Sequence, residues 1–274
     1  MTGCLPDAPV RPGSGHGCDR FLTGPLAHHV DWVPVRPEME IGLGASRPRL
    51  RLRTDELGAA KDETAGRTWA MTALENGRIL DIADVDGYVF DPGSPSCALL
   101  NLPRYASGLN DPVLREHFVE RVFARAGLRE FFARDRRPRD LVAFHSRHKL
   151  QVLAHDPSAY RELGRIVAGA GTRGRGELEA DYRRAFDRAL AVPPKRGRHT
   201  NALLHVLGPM SEHLDPARRH DIVAAIESYR RGEAPLSVPI ALLRHHAEAE
   251  HLDYLSQQTY LNPFPPDLVP RHHL

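Results

Sequence analysis

The spacing of hydrophobic and polar residues changes once along the chain, near residue 110. Before that point, Val30 to Val35 and Gly87 to Phe90 are brief apolar runs bounded by Gly, Pro and Asp, the pattern of short strands. Asp55 to Leu80 between them reads as helix, and strands separated by a helix predict a small α/β domain. From Asp111 the period lengthens: Val113, His117, Val119, Val122, Phe123 and Leu128 mark an amphipathic helix opened by Asp111-Pro112. The basic, apolar-poor segment Ala133 to Arg139, broken by Pro138, predicts a boundary. The chain is therefore expected to hold an α/β domain over residues 1–132 and an all-α domain over 133–274.

The second part reads as a succession of capped helices. Asp140 is placed to cap one that runs through His155, Pro157 opens the next through Ala168, and a third covers about Glu177 to Ala191. The clearest has Asp215 as N-cap, Pro216 in its first turn, Ile222, Ile226 and Tyr229 at helical spacing, and Gly232 as its stop after Arg231.

Composition narrows the classes. At 41% hydrophobic and 26% charged, the 274 residues suit a chain that buries a real core, and no apolar run approaches the ~20 residues of a membrane-spanning helix. Met1 to Cys4 is preceded by neither a charged region nor an apolar one for a signal peptidase to read, so a cytoplasmic protein without a membrane partner is expected. The three cysteines, Cys4, Cys18 and Cys97, form no C-x-x-C pair and stand as free thiols or distributed metal ligands. A net charge of +2 argues for no partner by itself. Its distribution says more, since Arg121 to Lys149 holds nine Arg and Lys against Glu130, Asp135 and Asp140.

Among candidate motifs, Gly169 to Gly174 matches G-x-G-x-x-G but follows a helix, which leaves a phosphate cradle without its scaffold. H-E-x-x-H, Walker A and G-x-S-x-G are absent. His145 and His148 lie three apart on one helical face beside Arg147 and Lys149. Two readings stand there: an anion pocket, which the paired cations favour over a metal half-site, and packing polar groups. Lys195 to Asn201, with Arg198 and His199, forms a second basic motif that would converge on the first. Glu38 and the run Ser94 to Cys97 follow the two strand-like segments, where α/β loops carry functional side chains.

At these residues the chain resembles a bacterial two-domain family that pairs a thiouracil-desulfidase-like N-terminal domain with a helical YbgA-like C-terminal domain. The resemblance rests on Asp140 to Leu150, Tyr160 to Gly164, Arg198-His199 with Asn201 and His205, and Tyr260 to Pro263. In the first half it rests on Cys4-Leu5, Val10-Arg11, Asp19 to Phe21, Pro37-Glu38 with Ile41 to Gly44, Asp84 to Tyr88 and Ser94 to Cys97. It implies a four-iron four-sulfur cluster held by three cysteines, its fourth iron open to the sulfur of a thiolated pyrimidine or related nucleobase, with Glu38 handling protons and Ser94 positioning the substrate. Cys4 and Cys97 match the first and third ligand positions, but Arg36 stands at the second. A guanidinium stays protonated and offers iron no lone pair, so a stable cluster is not expected unless Cys18 substitutes. The segment after Cys97 is also shorter than the family's. The resulting expectation is a desulfidase-like protein with lost or altered activity. The alternatives are a nucleotide- or nucleic-acid-binding module built on His145, Arg147, Lys149, Arg198 and His199, and a protein-interaction scaffold.

Overall fold

Four helices of this protein begin at a proline, which lacks the N–H that a first helical turn leaves without an intrahelical acceptor. In the computed structural model, which describes residues 20–33, 50–52, 59–62, 68–70, 85–87, 89, 109 and 111–268, these are α2 (Pro112–Ala133), α3 (Pro138–His155), α4 (Pro157–Ala168) and α7 (Pro216–Arg231). The other α-helices among the described residues are α1 (Arg20–Thr23), α5 (Arg175–Leu190), α6 (Arg196–Met210), α8 (Ser237–Ala249) and α9 (Asp253–Ser256). The chain divides into two compact units, residues 1–115 and 116–274.

The first unit overturns the expected α/β domain. Its described strands, β1 (Leu50–Leu52), β2 (Ala59–Asp62) and β3 (Thr68–Ala70), form an antiparallel sheet in the order β1-β2-β3. Leu50 pairs with Asp62, and Ala59 with Ala70. Two of these strands occupy the stretch that reads as helix in sequence, and residues 30–33, 87 and 89 are not strand. Antiparallel neighbours need only a short turn between them, so the crossover helix of an α/β unit has no part in this sheet. Elsewhere in the unit, Phe21 and Leu26 are buried, and the Arg115 guanidinium lies 4.8 Å from the Phe21 ring centroid while its Nε donates to the Leu109 carbonyl at 2.6 Å.

Several helix starts obey local chemistry. The Asp111 carboxylate accepts from the N–H groups of Val113 (2.8 Å) and Leu114 (3.1 Å), Asp156 from Ser158 (2.8 Å) and Asp215 from Arg218 (2.9 Å). Asp140 differs from its expected N-cap role. The helix starts three residues earlier, and Asp140 reaches back from the third helical position to the Arg137 N–H at 2.8 Å, half of a capping box. Gly232 ends α7 at φ +81°, and the Arg196 guanidinium lies where a Cβ would stand, so a side chain there meets both backbone strain and a clash.

Two hydrophobic clusters build this unit, and α3 contributes to both. Its Leu141, Phe144 and Val152 pack with Leu128 and Phe131 of α2, Leu163 of α4, and Tyr182 and Phe186 of α5. Its Leu150, Leu153 and Ala154 pack with Leu203 and Val206 of α6, Ile222 and Ile226 of α7, and Leu243 of α8. Because α2 supplies part of the first cluster, a fragment beginning at residue 112 is expected to give the helical circular dichroism and cooperative melting of a folded domain. One beginning at residue 140 should melt at least 10 °C lower, on the order expected from losing several buried apolar side chains.

Candidate anion-binding site on the helical unit

The α3 helix carries four of the candidate residues on neighbouring turns. Arg147 is exposed and, among the described residues, has no carboxylate partner. Lys149 is half-buried with its Nζ 5.1 Å from the centroid of the exposed Tyr254 ring, a cation–π contact that leaves the charge at the surface. His145 and His148 are 9% and 8% exposed. The His145 Nδ1 lies 3.2 Å from the Tyr182 hydroxyl, and the His148 Nδ1 donates to its own helix at Phe144 O, 2.9 Å away. The His148 ring also stacks on Phe144 at 4.0 Å between centroids and meets Phe186 edge-on.

Burial decides the charge of these rings. His145 is lowered from 6.5 to about 4, first by burial and then by the Lys149 charge. His148 also falls to about 4, first by burial; its bond to Phe144 opposes the shift, and Arg147 and His145 add to it. Both imidazoles are neutral at pH 7, so positive charge on this stretch of α3 comes from Arg147 and Lys149.

The second basic motif is engaged elsewhere. Arg198 donates from Nη1 to the carbonyl of His155, placing its charge at the C-terminal end of α3, where the helix dipole favours a cation. His199 is buried, with Nδ1 3.1 Å from the Tyr260 hydroxyl, which also donates to the His199 carbonyl at 3.3 Å. Thus α3 carries His145, Arg147, His148 and Lys149 within five residues, with Arg147 and Lys149, two apart, on different faces of the helix, while Arg198 and His199 tie α6 to the end of α3 and to the segment after α9. Gly169 is the C-cap of α4, in keeping with a helix-end linker rather than a phosphate loop.

One polar group escapes a reading of the sequence. Glu120 Oε1 accepts from Gln151 Nε2 at 3.0 Å, and the Thr259 hydroxyl reaches Gln151 Oε1 at 3.0 Å. Glu120 Oε2 is 3.4 Å from His155 Nε2, without the alignment of a hydrogen bond. His155 Nδ1 donates to Val192 O (2.7 Å) and His117 Nε2 to Leu190 O (2.9 Å), so two histidines hold the residues that close α5. His117 is lowered to about 4, mainly by burial and next by His155. The available signal is the four-residue spacing of Glu116 with Glu120 and of Gln151 with His155, which places each pair on one face of its helix.

The candidate catalytic residues Glu38 and Ser94, the candidate ligands Cys4, Cys18 and Cys97, and Arg36 all lie outside the described residues. The chemistry of the donor set still tests the implied cluster. At the ligand positions the resemblance implies, Cys4 and Cys97 supply two thiolates and Arg36 a guanidinium, and that set does not fit the group. Among the described residues no three His, Cys, Asp or Glu gather as a metal site, and no helix is long and apolar enough to cross a membrane.

Comparison with known proteins divides the chain in two. Residues 1–132 match the family described as 2-thiouracil desulfurase, and residues 149–265 match the family described as "Protein of unknown function (DUF1722)". The "Uncharacterized protein YbgA" of Escherichia coli (strain K12) is 36% identical over 133 residues, 48% of this chain and 79% of that protein. No solved structure matches the chain.

Proposed function

Because the chain belongs to the two-domain family that joins a 2-thiouracil desulfurase-like domain to a YbgA-like one, we propose that it binds thiolated pyrimidines presented as nucleotides or within nucleic acid. In this reading the helical unit holds phosphate, and cluster-dependent sulfur removal has been lost. The observation that carries it is Arg147, an exposed guanidinium on α3 with no carboxylate partner among the described residues, two residues from Lys149. Arginine's fork matches phosphate oxygens in pairs, and a neighbouring ammonium adds charge without demanding geometry. The phosphate reading is of the helical unit alone, and Glu38 and Ser94, whose roles are those the resemblance implies, are given no contact with the same ligand. No bond-breaking step is assigned to them, because the donor set does not fit the cluster.

Two measurements test this reading. Binding of a short single-stranded oligonucleotide is expected to weaken about linearly in log affinity against log salt, and to weaken further in Arg147→Ala at every salt concentration. Salt-independent binding, or binding indifferent to that substitution, removes the phosphate role. Protein purified and reconstituted without oxygen is expected to hold well under one cluster's worth of iron, with Arg36→Cys raising the retained iron. About four irons per chain, lost in Cys18→Ser, would instead identify Cys18 as the replacement ligand and restore a cluster-dependent desulfidase.

A further inference from the structure

Arg139, Val142, Ser146 and Lys149 are spaced three, four and three apart, which places them on one face of α3. Neither hydrophobic cluster takes that face. Val142 is 49% exposed, Arg139 is exposed, and Ser146 and Lys149 are half-buried. Asp140 is the one carboxylate of α3; its Oδ2 accepts from the Arg137 N–H, and its Oδ1 stands 3.9 Å from Arg139 Nε, a surface pair of little strength. Beside Lys149 stands Tyr254 of α9, 42% exposed although the Lys149 Nζ meets its ring 5.1 Å from the centroid. Its backbone is fastened to α3. The buried Gln258 donates from Nε2 to the Tyr254 carbonyl (3.1 Å) and to the Ser146 carbonyl (3.0 Å), and the Thr259 N–H donates to the Arg147 carbonyl (3.0 Å). An exposed aromatic ring on a fixed backbone, next to an ammonium and in line with a guanidinium, has the parts of a platform for unpaired bases.

We propose that this face of α3, together with Tyr254, is a track for single-stranded nucleic acid, with a base stacked on Tyr254 and the sugar-phosphate chain passing Lys149 and Arg139. This rests on the phosphate-binding reading above and narrows its ligand from a nucleotide to a strand. Arg139 and Lys149 stand ten residues apart, about 15 Å along the helix axis, and Lys149 is held at the Tyr254 ring, so the two cations meet separate phosphates. Val142 and Ser146 between them are short, which leaves room for the chain to lie along the helix. A duplex keeps its base faces inside its own stack and offers none to Tyr254. An acidic polypeptide satisfies the cations but brings no flat partner for the ring. Arg147 is one residue past Ser146 and off this stripe, so it and Tyr254 report on different parts of the surface.

The test separates stacking from charge, in the full chain, by fluorescence anisotropy of a labelled oligothymidylate of about eight nucleotides. Tyr254→Ala is expected to weaken binding about tenfold at every salt concentration without changing the slope of log affinity against log salt, because stacking releases no counterion. Tyr254→Phe keeps the ring and should bind like the native chain. Arg139→Ala is expected to weaken binding and to make that slope shallower by about 0.7, the share of one phosphate on a single strand. An oligomer of the same length without bases should bind the native chain about tenfold more weakly, a comparison that holds even if a variant fails to fold. Equal binding of the baseless oligomer, or binding indifferent to Tyr254→Ala, overturns the track. Displacement of the oligomer by polyglutamate at equal charge overturns it in favour of an acidic polypeptide. Binding lost in Arg147→Ala but unchanged in both Tyr254→Ala and Arg139→Ala overturns the track and leaves the phosphate reading intact. No binding by the native chain at low salt overturns both.

Discussion

Acidification from pH 7.5 to 4 is expected to unfold the helical unit in one cooperative step. His117, His145 and His148 each fall from 6.5 to about 4 in the folded chain, chiefly through burial. A depressed imidazole takes up its proton more readily when unfolded, so protonation favours the unfolded state. Their contribution is complete above about pH 6.5 and is lost as pH falls through the unfolded value toward the folded one. At its steepest the loss is roughly 4 kcal/mol per pH unit for three such groups, so about 8 kcal/mol within two units, beyond the lower end of the ~5–15 kcal/mol of an ordinary domain. Urea midpoints recorded at half-unit intervals of pH check the slope. His148→Asn keeps a donor near the Nδ1 position without a titrating ring, and should move the transition to lower pH. Stability that is flat between pH 7 and 4.5 would mean that the rings are wet in solution.

The second large effect is packing. Phe186 is fully buried, with ring centroids 6.0 Å from Phe144, 5.7 Å from His148 and 5.9 Å from Tyr182. Four rings from two helices meet there, so removing one leaves a cavity that rigid neighbours cannot collapse to fill. Phe186→Ala is expected to cost about 3–5 kcal/mol in urea unfolding. Val142→Ala on the exposed face of α3 should change stability by less than about 0.5 kcal/mol. A small loss at Phe186 would indicate a loosely packed cluster and would weaken the case for buried, neutral His148.

Helix ends were legible in the sequence because their causes are local. Pro157, Asp215, Pro216 and Gly232 act within a turn of where they stand, and the structure uses each as the chain spells it. Asp140 was misplaced by one role because N-cap and third-position carboxylates look alike until the backbone fixes which N–H they accept. The strands were not legible for the opposite reason. Ala59 to Asp62 contains residues at home in helices, and its strand state comes from partners at Leu50 to Leu52 and Thr68 to Ala70. The candidate site divides in the same way. Spacing alone puts His145, Arg147, His148 and Lys149 on one stretch of helix, but the Tyr182 hydroxyl that meets His145 Nδ1 comes from 37 residues away. The link from Glu120 to Gln151 spans 31 residues, beyond the reach of any local pattern.

The double membership of α3 also bears on how the helical unit opens. With Leu141, Phe144 and Val152 in one cluster and Leu150, Leu153 and Ala154 in the other, neither cluster comes apart without stripping a face of the same helix. Partial opening is thereby suppressed, and backbone amides in the middle of α3 exchange with solvent deuterium only when the whole unit unfolds. The cations near that stretch thus stand on the least yielding backbone of the unit, and a ligand that meets them finds a surface already set, with little ordering left to do.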